Sequence, residues 1–212
     1  DVYKRQALLD NQDSFVYNLV DALAEYDSTV FRNTVSADTV LATEPDLIVL
    51  SPGPGYPADA GCMAELIDRA QGRIPILGIC LGYQALVEHF GGAVRPCGPV
   101  HGASISMALT DAGQDSPLFA GMTVDDIPGQ RGRLVPVARY HSLGATAVPA
   151  GMHALAHTAT DIGDAVMAAA SDDGMSLGLQ FHPESILTPA GPTMLRRSVD
   201  LLLKKGTNNG NR

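Results

Sequence analysis

Short apolar runs alternate with longer amphipathic stretches from the start of the chain to Phe90. Ala7–Leu9, Leu47–Leu50 and Ile74–Ile79 hold no charged side chain. A strand covered on both faces reads in this way, because neither side of its pleat meets water. Thr29–Phe31 also reads as a short strand. Between these runs, Phe15, Val16, Leu19, Val20 and Leu23 recur at helical spacing behind the potential caps Asp13 and Ser14. Ala37–Ala42 follows the cap Ser36, and Ala60–Ala70 and Leu81–Phe90 complete the helical set. Regular alternation of strand and helix predicts an α/β fold: a doubly wound, mainly parallel sheet, with reactive residues at the carboxyl ends of its strands.

The second half changes character. Ala103–Leu109, Leu134–Arg139, Ala154–His157, Ala165–Ala169 and Leu177–Phe181 read as short strands separated by turn residues, and predict extra antiparallel strands on the same sheet. Asp125–Arg133, with Pro128, Gly129 and Gly132, reads as an exposed loop, and Met194–Leu203 as a closing helix. One domain over residues 7–203 is expected. Residues 1–6 are too polar for a buried strand and read as a non-native or frayed opening. Residues 204–212 read as a disordered tail.

Composition narrows the function classes. With 14 basic against 23 acidic residues the net charge is −9, and no basic run reaches five residues. Nucleic acid and anionic membrane surfaces are therefore poor partners. The 3 cysteines form no paired spacing, which argues for a reducing, cytoplasmic setting rather than a disulfide framework. No apolar run approaches the roughly 18 to 20 residues that span a bilayer.

Candidate chemistry centres on Gly78-Ile79-Cys80-Leu81-Gly82, a cysteine at the turn from an apolar strand into a helix. Glycines two residues either side suit a tight elbow in which β-carbons would strike neighbouring backbone. A helix N-terminus favours the thiolate, the reactive form. Alone, Cys80 is equally compatible with an inert buried thiol. Downstream, Gln180-Phe181-His182-Pro183-Glu184 places a base and a carboxylate two residues apart, on one side of an extended segment. Glu184 can then orient His182, and His182 can take the thiol proton. Ser51-Pro52-Gly53-Pro54-Gly55 follows an apolar run and can turn backbone N–H groups toward a reacting carbonyl. His153 and His157 have metal-like spacing only on a helix, whereas Gly151–Thr158 alternates like a strand. No four-ligand set is visible, so neither a metal nor another cofactor is expected.

These blocks carry a resemblance. Leu9-Asp10-Asn11-Gln12-Asp13-Ser14-Phe15, Ser51–Gly55, Gly78–Gly82 with Gln84, Arg139-Tyr140-His141-Ser142-Leu143 and Gln180–Glu184 stand in the order found in the class I, or triad, glutamine amidotransferases, which the chain resembles. The resemblance implies a flavodoxin-like fold and hydrolysis of the side-chain amide of L-glutamine by Cys80, His182 and Glu184. It implies Gly53 and Leu81 N–H groups as oxyanion donors. Gly53, Pro54, Gly55, Gln84, Ser142 and Leu143 would hold the glutamine. The wording is most similar to subunits that pass ammonia to a chorismate-binding synthase chain, which would be the partner. The nearest rival is the corresponding subunit of the folate pathway, or one subunit serving two pathways, and a stand-alone cysteine hydrolase and a non-catalytic binding module are the rival classes. One departure is Ala103, where a basic residue usually follows the His101-Gly102 pair.

Overall fold

The computed structural model of the chain describes residues 4–210. Its strands are β1 (Arg5–Asp10), β2 (Asp27–Arg32), β3 (Leu47–Leu50), β4 (Ile76–Ile79), β5 (Arg95–Pro96), β6 (Ala103–Leu109), β7 (Leu134–Arg139), β8 (Leu143–Gly144), β9 (Met152–Thr160), β10 (Gly163–Ser171) and β11 (Ser176–Leu179). Its α-helices are α1 (Val16–Ala22), α2 (Ala37–Leu41), α3 (Met63–Ala70), α4 (Leu81–His89), α5 (Asp111–Asp115) and α6 (Gly191–Gly210). A 9-stranded sheet runs in the order β2-β1-β3-β4-β11-β10-β9-β6-β7. The block from β2 to β11 is parallel, and β10, β9, β6 and β7 add antiparallel pairings. Both features follow the pattern read from the sequence.

Every residue of β3, β4 and β11 is buried. Successive side chains alternate between two cores. Leu8, Val49, Leu77 and Ile79 face Leu19 of α1 and Leu195 and Val199 of α6. Leu9, Ile48, Leu50 and Ile76 face Val40 of α2, Leu66 and Ile67 of α3 and Leu86 of α4. Helix α4 is buried continuously from Leu81 to Val87, as expected of a helix that is apolar all round. Its Tyr83 donates its hydroxyl to the Val166 carbonyl at 3.2 Å, and burial pushes that phenol far above its ordinary pKa.

Four local differences from the sequence reading have physical causes, and the exposed loop expected at 125–133 is present. Strand β1 begins at Arg5 rather than Ala7, because Arg5 and Gln6 continue the ladder opposite Asp27 and Ser28; Asp1–Tyr3 lie outside the described residues. Phe15 leaves the apolar stripe of α1: it is 60% exposed, precedes the first helical residue, and neither Asp13 nor Ser14 caps the helix. Helix α3 starts at Met63, after a short 3-10 turn over Pro57–Asp59. The 125–133 segment is exposed but folded back on itself, with the Asp125 carboxylate accepting from the Arg133 and Leu134 N–H groups. Helix α6 continues through 204–210, where a disordered tail is expected. The Thr207 hydroxyl bonds the Leu203 carbonyl at 3.0 Å, and Gly206 lies against the Pro75 ring. Among the described residues no helix is long and apolar enough to cross a membrane.

Candidate active site

Parallel pairing of β4 with β11 sets Ile79 beside Leu179. The residue after each strand, Cys80 and Gln180, therefore emerges at the same end of the sheet. The Cys80 N–H extends the ladder to the Leu179 carbonyl at 2.7 Å. Cys80 then turns the chain into α4 with φ 52° and ψ −101°, a left-handed conformation that costs a non-glycine residue of order 1–3 kcal/mol. Its flanking glycines are required by contact rather than by turn geometry. A β-carbon on Gly78 would lie 2.6 Å from the Gly82 carbonyl, and one on Gly82 would lie 2.5 Å from the Leu50 carbonyl oxygen. The elbow is thus wedged between β3 and its own helix.

Two residues beyond Gln180, the imidazole of His182 meets Glu184, with Nδ1 2.6 Å from Oε1. Backbone bonding fixes this segment: the His182 N–H reaches the Ala138 carbonyl of β7 at 3.2 Å. Thr188 adds a clamp, its hydroxyl donating to the His182 carbonyl at 2.7 Å and accepting from the Ala138 N–H at 2.9 Å. Tyr140 stacks edge-on against the His182 ring, with centroids 5.0 Å apart. Burial disfavours the imidazolium, but Cys80 on one side and Glu184 on the other outweigh it, so the pKa rises from 6.5 to about 10. These two neighbours hold the imidazole in its protonated form at neutral pH.

Across the opening, the 51–55 turn is held by a buried polar group. The Asn11 N–H bonds Ser51 Oγ and its Nδ2 bonds the Ser51 carbonyl, each at 2.9 Å. Asn33 Nδ2 steadies Asn11 Oδ1 at 3.2 Å. Gly53 packs against the Asn11 carbonyl, where no β-carbon fits. The turn leaves β3 next to the point where the strand order reverses between β1 and β3, the usual ligand crevice of such sheets.

These elements enclose a cleft of about 860 Å³. Cys80, His182, Glu184, Gly53, Pro54, Gly55, Gln84, Ser142 and Leu143, all named from the sequence, line it. Leu81 is buried just below, as the first residue of α4, where a helical N–H has no intrahelical acceptor. Gln84 Nε2 donates to the Leu143 carbonyl at 3.0 Å and to Gln180 Oε1 at 3.2 Å. Both amide hydrogens are thereby committed, which leaves Oε1 as the atom of Gln84 open to a ligand N–H. His141 buttresses the same loop, its Nδ1 lying 2.7 Å from the Leu143 carbonyl while Nε2 accepts from Arg139 at 3.2 Å. Burial lowers the His141 pKa to about 4, with the Arg139 charge adding to the effect. It is a neutral strut.

Residues with no role in the sequence reading also matter. Asn11, Gln180 and Thr188 are all buried; the first two sit inside motifs singled out above, whereas Thr188 follows the last motif and carries no local signal. Asp13 lines the cleft, and burial raises its carboxyl pKa, helped by the nearby Glu184 charge. Of the other cysteines, Cys62 immediately precedes α3, its thiol pushed up by burial. Cys97 is buried against Arg139 and His141. His153 and His157 lie on strand β9, and His153 pairs with Asp172 at 2.9 Å.

A strained cysteine elbow, a His–carboxylate pair and a facing glycine turn on a doubly wound sheet together define a class. Residues 7–201 match the family model of glutamine amidotransferase class-I, and the chain belongs to that family. It is 60% identical over 201 residues to anthranilate synthase component 2 of Corynebacterium glutamicum, covering 92% of this chain and 97% of that protein. It is 45% identical over 202 residues to the pyocyanine-specific anthranilate synthase component 2 of Pseudomonas aeruginosa, covering 92% of each. Among solved structures, a Thermotoga maritima glutamine amidotransferase superposes with a TM-score of 0.71 at 15% identity, over 96% of this chain and 100% of that one. The last likeness concerns fold alone.

Proposed function

We propose that the chain is the glutaminase subunit of an anthranilate synthase. Cys80 attacks the side-chain amide carbon of L-glutamine. The Gly53 and Leu81 N–H groups stabilise the tetrahedral oxyanion, an interaction whose loss typically costs about 3 to 4 kcal/mol. The His182 imidazolium protonates the departing nitrogen and, once neutral, activates the water that clears the γ-glutamyl thioester. Glu184 accepts from His182 Nδ1 and so turns the Nε2 N–H toward Cys80. Ammonia passes to a chorismate-binding synthase subunit, which forms anthranilate for tryptophan synthesis.

The observation that carries the reading is the convergence on one cleft of Cys80, at the end of β4, with His182 and Glu184, just beyond β11. The synthase assignment is supported by the 60% identity across 92% of the chain. A partner seated on the mouth is supported by its apolar rim: Phe15, Tyr140 and Ile186 border the cleft, and Ile186 is 96% exposed. A cytoplasmic location suits three free cysteines. The test is to assay the chain with and without the synthase subunit and chorismate. The reading expects glutamine-dependent anthranilate from the pair and a faster glutaminase rate than the chain shows alone. No anthranilate from the assembled pair would overturn the synthase assignment.

A further inference from the structure

We infer that Gln180 is a positioning residue for the nucleophile, tying the sulfur of Cys80 to the loop that receives the ligand. Its side chain is fully buried. The amide Nε2 donates to Cys80 Sγ at 3.6 Å, while Oε1 accepts from Gln84 Nε2 at 3.2 Å. Gln84 in turn donates to the Leu143 carbonyl at 3.0 Å, the oxygen that His141 Nδ1 also reaches at 2.7 Å. An unbroken series of hydrogen bonds thus runs from Arg139 and His141, through the 141–143 loop, Gln84 and Gln180, to the thiol.

Each link is oriented by its neighbour. Because Gln84 supplies an N–H to Gln180, the Gln180 amide must present its oxygen to Gln84 and its nitrogen to sulfur. A buried amide N–H aimed at sulfur favours the anion, and a bond to a charged group is stronger than one between neutral groups. Strand register puts Gln180 in this position, since β4 and β11 run in step and the side chain after Leu179 lies beside the one after Ile79. Any shift of the 141–143 loop on ligand entry is then felt at Gln84 and passed to the sulfur. This inference rests on Cys80 being the nucleophile of the proposed reaction.

The ionisable groups around the sulfur are His182 and Glu184 beyond β11 and Asp13 beyond β1, with Arg139 and His141 behind the loop. Tyr83 of α4 is committed to the Val166 carbonyl. None of these is altered by Gln180→Met, which keeps length and removes the donor. The experiment follows alkylation of Cys80 by iodoacetamide between pH 5 and 9 in the full chain, read by mass spectrometry of the Cys80 peptide, with folding checked by thermal melt. Alkylation needs neither glutamine nor a second chain, so its outcome is separate from that of the anthranilate assay. Gln180→Met should slow alkylation at pH 6 about tenfold, the order of one bond to a charged group. Gln84→Met should give part of the same change, and the double variant less than the product of the two. A folded Gln180→Met with the wild-type profile would overturn the inference. Should that variant fail to fold, an unchanged profile in Gln84→Met would do the same.

Discussion

Gln6 stands where the ladder of β1 demands an apolar residue. It pairs with Ser28 on one side and Leu47 on the other, is only 2% exposed, and shares the face of Leu8 by the two-residue period of a strand. Among the described residues, both polar atoms of its amide, Nε2 and Oε1, are buried without a hydrogen-bond partner. An unmade buried hydrogen bond costs roughly 1–3 kcal/mol, so Gln6→Leu, of similar volume, should stabilise the chain by about 2 kcal/mol. For a domain of this size each kcal/mol moves Tm by about 2–4 °C, which gives an expected rise of about 4–8 °C by scanning calorimetry. Gln6→Glu, which buries a charge at the same point, should lower Tm. A folded Gln6→Leu with unchanged or lower Tm would mean that the amide is satisfied in solution.

Other consequences concern titration. Because the His182 pKa is raised from 6.5 to about 10, its interactions stabilise the fold fully below about pH 6.5 and are lost as pH rises through 10. The stability gap between wild type and His182→Gln in urea should therefore be widest near pH 6 and shrink toward pH 10, and a constant gap would contradict the assignment. Asp13 has the same direction of linkage from a different cause. Burial raises its carboxyl pKa, so the ionised form costs stability above the ordinary 3.8. Asp13→Asn should be more stable than wild type at pH 7 and lose that advantage below pH 4, whereas destabilisation at pH 7 would show a structural need for the carboxylate.

The parallel half of the fold was legible in the sequence because its strands are buried on both faces and read as plain apolar runs. Leu47–Leu50 matches to the residue. The elbow was legible for a related reason: Gly78 and Gly82 announce contacts in which even a β-carbon cannot fit. Less was visible where tertiary contact outweighs local pattern. Phe15 has helical spacing, yet the chain turns into the cleft there before α1 begins. The end of α6 has no apolar residue, yet seven helical residues follow Leu203 on the hydrogen bonds of the preceding turns and the Pro75 contact. Asn11, Gln180 and Thr188 act through partners that the fold alone brings near, and a chain read in one dimension gives no distance between Gln180 and Cys80.

The proposed function divides the labour, with thiol chemistry in this chain and chorismate chemistry in its partner. Cys80→Ser tests it most directly, since it changes one atom at an 8% exposed site and replaces a thiol by a hydroxyl that is a far weaker nucleophile in a cysteine-tuned site. Anthranilate formation by the assembled complex should be measured with chorismate and either glutamine or an ammonium salt, at a pH where free ammonia is appreciable. The glutamine-driven reaction should disappear while the ammonia-driven rate stays within about twofold of wild type. Loss of both reactions in a complex that remains assembled would contradict it, because Cys80 would then serve the synthase step itself.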